Sequence, residues 1–127
     1  MPTSVEREEV IYHGTTLGIA QQIGALDQFD ERETYFAATR DLAEFFARRS
    51  STKSKTAQSP AIIRVTIYAD DLRNLKQNKL LINKGFDEGD NPQLRGKSQL
   101  VFNSEGIRFL NRVLLEMTVQ PVEVRKV

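Results

Sequence analysis

The single histidine of this chain, His13, sits in the run Ile11-Tyr12-His13-Gly14-Thr15-Thr16. An imidazole exchanges protons and hydrogen bonds near neutral pH, so it is the first group to ask about chemistry. Gly14 has no Cβ and lets a ligand approach the backbone, where its N–H and C=O form a donor–acceptor pair. Two hydroxyls follow at Thr15 and Thr16. A second block, Thr34-Tyr35-Phe36-Ala37, offers a flat ring at Tyr35, and Phe45 and Phe46 supply two more. A third, Gln99-Leu100-Val101-Phe102-Asn103, follows Ser98. Aromatic walls with a few fixed polar groups are what a planar ligand with a polar edge requires. Ordinary core packing accounts equally well for Phe36 and for one of Phe45 and Phe46. A lone histidine is also more often structural than catalytic. The case for His13 and Tyr35 rests on their occurring together in order, with His13 at the end of a strand-like block, where sites are usually built.

Those blocks need elements to hold them. Residues 9–13 read as a short strand, Gly14 as a turn, and Thr15 or Thr16 as the N-cap of a helix whose stripe is Leu17, Ala20 and Ile23. Gly24 stands where a left-handed C-cap is expected. Residues 27–33 are acidic and aperiodic, hence a loop. Residues 34–38 form a strand, and Thr39 can cap a helix over 40–49 that buries Leu42, Phe45, Phe46 and the stem of Arg49. Residues 50–60 read as a mobile loop with a basic cluster of Arg48, Arg49, Lys53 and Lys55 around it. A solvated surface accounts for that cluster; a nucleic-acid or acidic-protein contact is the rarer alternative. The clearest strand covers 61–69, with Ile63, Val65, Ile67 and Ala69 on one buried face. A helical turn from Asp70 to Leu75, a strand at 80–82, a long irregular loop over 84–98, a strand at 99–102, a short helix from Glu105 capped by Ser104, and a strand from Leu115 follow. Pro121 marks an edge position or bulge. The class is α+β, a mostly antiparallel split sheet with two short N-terminal helices.

Bulk properties narrow the function. The 127 residues suit one domain, residues 1–127. With 18 Lys+Arg against 17 Asp+Glu the net charge is +1, so the chain is no general polyanion binder. It has no cysteine, which excludes disulfides and thiolate metal sites, and one histidine argues against zinc. No apolar run reaches membrane-spanning length, and residues 1–9 lack the basic and apolar regions of a secretory signal. The expectation is a cytoplasmic protein with no metal and no membrane partner.

In their order, the His13-Gly14-Thr15, Tyr35-Phe36-Ala37 and Gln99-to-Asn103 blocks resemble the ADP-ribosyltransferases of the diphtheria-toxin and poly(ADP-ribose) polymerase type. The resemblance runs thinly from Ile11 to about Leu115. It implies NAD as substrate: His13 bonding the adenine-side ribose, Gly14 pairing its backbone with the nicotinamide carboxamide, Thr15 as the small hydroxyl residue that follows, Tyr35 stacking on the nicotinamide, and Phe45, less favourably Phe46, as the opposite wall. The family's late strand carries a glutamate. Here alignment puts Ser98 at that position with Gln99 beside it, and Glu105 and the loop acids Asp87, Glu88 and Asp90 are the nearest carboxylates. This departure argues against polymer elongation and leaves single ADP-ribose transfer to a protein or nucleic acid, or NAD binding alone. The loop over 84–98 precedes the strand as the family's target-recognition loop does. A lone domain of this kind would suit a small toxin or effector, with an inhibitor protein as a natural partner. The alternative is an inactive binding module on the same scaffold, recognising ADP-ribose or a protein.

Overall fold

The computed structural model describes residues 7–53, 58–87 and 92–123. Lys55, Glu88, Asp90 and Val124 lie outside them, as does the expected lead-in up to residue 6. The chain runs β1 (Glu8–Thr16), α1 (Leu17–Leu26), β2 (Thr34–Ala37), α2 (Arg40–Lys53), β3 (Pro60–Tyr68), α3 (Ala69–Gln77), β4 (Leu81–Gly85), β5 (Ser98–Phe102), α4 (Ser104–Val113) and β6 (Glu116–Pro121). The six strands form one antiparallel sheet in the order β4-β5-β2-β1-β3-β6. The α+β class is as the sequence implies, and there are four helices among the described residues: the helical turn expected from Asp70 and the short helix expected from Glu105 are full helices beside the two N-terminal ones. The polar stretches 69–77 and 104–113 carry enough apolar positions (Leu72, Leu75, Ile107, Leu110) to be held by packing.

Side chains alternate across a strand, so adjacent residues feed opposite faces of the sheet. Phe36, Ile63, Leu100 and Phe102 enter one core with Ala20 of α1, Leu72 and Leu75 of α3, and Ile107 and Leu110 of α4. Ala37 and Ile62 enter a second core with Leu42, Ala43, Phe46 and Ala47 of α2, joined by Phe86 and Leu94. The sheet is therefore sandwiched. This corrects the one-faced reading of β3: Ile62, on the face opposite Ile63, is fully buried as well, because α2 covers the second face there.

Gly14 is not a turn. β1 stays paired with β3 from Glu8↔Tyr68 to Thr16↔Pro60, so Gly14 lies inside the strand opposite Ile62. A Cβ there would overlap the Ala43 carbonyl and come within 2.8 Å of the Ala47 amide. Glycine at this position lets α2 press its backbone onto β1.

Other boundaries also move for local reasons. α1 runs past Gly24 to a left-handed cap at Asp27 (φ 53°), whose N–H donates to the Gly24 carbonyl. The α4 cap is Asn103 rather than Ser104, its side chain accepting from the Gly106 N–H at 2.7 Å. The irregular loop expected over 84–98 is in part a hairpin between β4 and β5. Phe86 and Leu94 bury, and Phe86 exchanges backbone bonds with Lys97 and Gly96, the latter at φ +83°. Lys97 then reaches across to pair with Asp41 at the start of α2.

Candidate functional site

His13, Tyr35 and Gln99 come from three adjacent strands, β1, β2 and β5. β1 and β2 share one registered pair, Tyr12↔Ala37. Past it, His13 Nδ1 lies 2.7 Å from the Tyr35 carbonyl oxygen. A carbonyl only accepts, so Nδ1 carries the proton and Nε2 is left as an acceptor. The imidazole packs edge-on to Phe29 at 5.7 Å and against Phe36 at 5.3 Å between centroids. Part of the ring stays open, but burial dominates and holds its pKa below the ordinary 6.5. The Tyr35 bond opposes this, and the nearby Arg32 charge adds to it. His13 is thus a neutral acceptor at neutral pH.

Two depressions meet at His13 and Tyr35. One, about 300 Å³, is lined by Gly14, Phe46, Arg49, Ser50 and Gln99 in addition to those two. The other, about 410 Å³, runs between α1 and the loop over residues 27–33, taking in Thr15, Ile19, Ile23 and Leu26 on one side and Asp30, Arg32 and Glu33 on the other. Both volumes are of small-molecule size. The large apolar side chains left exposed among the described residues are Ile19, Leu26, Tyr35, Ile82 and Leu115, and three of these five line the second depression. Exposed apolar surface concentrated in a concavity is a ligand-site signature.

The loop wall is tied down from a distance. Asn111 of α4 accepts from the Phe29 N–H at 2.8 Å and donates to the Phe29 carbonyl at 2.9 Å. Phe29 is 3% exposed and packs on Phe36 as well as His13. Arg108 adds a surface ion pair to Glu31 at 2.8 Å.

The fold brings His13, Gly14, Tyr35 and Gln99 to one depression. Thr15, its side chain nearly buried, lines the adjoining one. Ser98 does not line either. Gln99 pairs with Ala37 in a register that puts Tyr35 opposite Val101, so Gln99 shares the Tyr35 face and Ser98 takes the other. The alignment that favours Ser98 is therefore one residue out of phase with the sheet. Phe46 rather than Phe45 shares the depression with Tyr35. Phe45 packs edge-on against Phe86 at 5.4 Å, and the Arg49 guanidinium lies over the rings of Phe45 and Phe46. Glu105 sits in the first turn of α4, past the opposite end of β5 from Gln99. Asp87 is exposed and lines neither depression.

Sequence reasoning missed Asp30, Arg32, Glu33 and Asn111. An aperiodic acidic stretch carries no sign of facing a cleft, although buried Phe29 in its middle was the available clue. Among the described residues no group of His, Asp or Glu could hold a metal ion, and no helix is long and apolar enough to cross a membrane. The chain matches no family model, no curated protein and no solved structure.

Proposed function

We propose that this chain is an ADP-ribosyltransferase-like protein that binds NAD in the cleft shared by His13 and Tyr35 and transfers a single ADP-ribose to a macromolecule, with inversion at the ribose carbon. The observation that carries the reading is the convergence of three sequence blocks, remote along the chain, on adjacent strands around one depression. Tyr35 and Phe46 would hold the nicotinamide between aromatic faces. The Nε2 acceptor of neutral His13 suits a ribose hydroxyl, which donates. Ile19, Ile23 and Leu26 offer an apolar wall to adenine. Departure of nicotinamide leaves positive charge on the ribose, and a site gains rate by stabilising it. Gln99 supplies a carbonyl dipole there in place of a carboxylate, which implies slow cleavage. A small toxin or effector acting in the cytoplasm on a protein or nucleic acid, held in check by an inhibitor protein, is the setting we favour.

A second reading has its own support. No carboxylate lines the depression that holds Tyr35 and Gln99, as suits a module that binds ADP-ribose or a protein without cleaving NAD. Calorimetry with NAD, run beside an assay of free nicotinamide, separates the two. Binding with slow release is expected. Gln99→Glu should raise release by about 10²–10³ if the missing charge is the only defect, while Ser98→Glu should do little. Binding with no release in either variant would favour the module. No NAD binding at all would end both NAD readings.

A further inference from the structure

A third depression, about 550 Å³, adjoins the cleft at the start of α1, sharing Thr15, Ile19 and Gln22 with it. We infer that it is a phosphate-binding site, built from the N-terminus of α1, the hydroxyls of Thr15, Thr16 and Ser50, and the ammonium of Lys53.

The first amides of a helix have no intrahelical acceptor and carry the positive end of its dipole, so they attract anions. α1 has ten residues, no acid in its first turn, and an N-cap, Thr16, whose side chain makes no cap bond. The Leu17 amide is satisfied by the Ser59 carbonyl at 2.7 Å. The first-turn amides of Gly18 and Ile19 have no intrahelical acceptor, and Gln58, which also lines the depression, brings its Oε1 to 3.2 Å from where a Gly18 Cβ would stand.

The second observation is independent of the helix. Thr15 and Thr16 are each 6% exposed, yet neither hydroxyl has a hydrogen-bond partner among the described residues. No fully sealed side-chain oxygen is left unpaired among the described residues, so the exposure that remains includes these hydroxyls, and both line this depression. Lys53, in the last turn of α2, is the one ionisable residue in the wall and has no ion pair among the described residues. One cation, several hydroxyls and the amides of a helix start, with no acid, match a phosphate's multiple acceptor oxygens and negative charge.

The phosphate could come from the diphosphate of a dinucleotide lying in the cleft or from the phosphate ester of a separate ligand. The site stands on its own residues, whether or not the cleft cleaves NAD.

The test is calorimetric titration of the full chain with inorganic phosphate and with diphosphate at low ionic strength, using acetate as control. Saturable binding of the phosphates is expected, with none for acetate. Lys53→Gln and Thr16→Val should each weaken phosphate by about tenfold and keep the wild-type urea midpoint, since neither removes a hydrogen bond present in the fold. NAD that displaces phosphate supports the site and assigns it to the dinucleotide; NAD that binds together with phosphate supports it and assigns it to a second ligand. No saturable heat, acetate binding as tightly as phosphate, or phosphate binding that survives both substitutions would overturn the inference. Phosphate binding without any NAD binding would leave this site standing and remove the NAD reading alone.

Discussion

Two neighbouring residues, His13 and Gly14, illustrate how differently single positions can be read. Unfolded, His13 ionises near its ordinary 6.5; folded, its pKa is lower. Between the two values the unfolded chain holds the extra proton, so stability that is complete above about 6.5 falls as the pH drops toward the folded pKa, then levels off. Urea midpoints measured from about pH 8 down to about pH 5 should show this loss, and His13→Gln should flatten it. An unchanged slope in the variant would assign the acid sensitivity to other groups. At Gly14 the sequence invites a ligand-approach reading, but the structure puts the Ala43 carbonyl where a side chain would go. Gly14→Ala should therefore cost about 2–3 kcal/mol in a urea titration, because a helix backbone rather than a flexible side chain must move. A variant as stable as the wild type would show that α2 can shift. That His13 and Tyr35 come together at one depression was legible from residue type and order. The choice between Ser98 and Gln99 was not, since it depends on strand register, and a one-residue slip exchanges the faces.

Among the elements, α4 does the least obvious work. Its core face, Ile107 and Leu110, would be enough to explain it, but Asn111 also fixes both backbone groups of Phe29 and with them the loop wall of the cleft. Asn111→Ala leaves a buried N–H and C=O unpaired and should cost about 2 kcal/mol. Hydrogen exchange at the Phe29 amide should quicken more than exchange in β3. If the two quicken equally, the loss is global and the clamp has no local role. Arg108→Ala, at the exposed Glu31 pair, should be close to neutral by the same measurements. Strands and the first two helices were legible from periodicity. The β4–β5 hairpin was not, because its glycines, proline and acids mask two anchors, Phe86 and Leu94, that only a tertiary partner makes visible. Helix α4 was foreseen, but its cap at Asn103 was displaced by one residue to Ser104, since both residue types cap well.

For the molecule as a whole, the central position of β1 sets the logic. It pairs with β3 on one side and β2 on the other, while α2 lies across one face and α1 packs on the other, so residues 8–16 lie at the middle of the sheet. The alternation that sequence reveals is blind to the second layer, which explains why β3 read as covered on one side only. A cleft wall clamped by a later helix also has a history. The wall at Phe29 waits for a partner 82 positions later, and at ordinary translation speeds of 5–20 residues per second that is a delay of roughly 4 to 16 s. Through that interval a nascent chain has its histidine and its tyrosine but no finished cleft. Ribosome-bound chains arrested before Asn111 emerges should therefore fail to protect the Phe29 segment from protease, and chains arrested well beyond it should succeed. Early protection would mean that the wall forms without α4. If the delay holds, whatever this cleft does is withheld from the ribosome that makes it until helix α4 has been made.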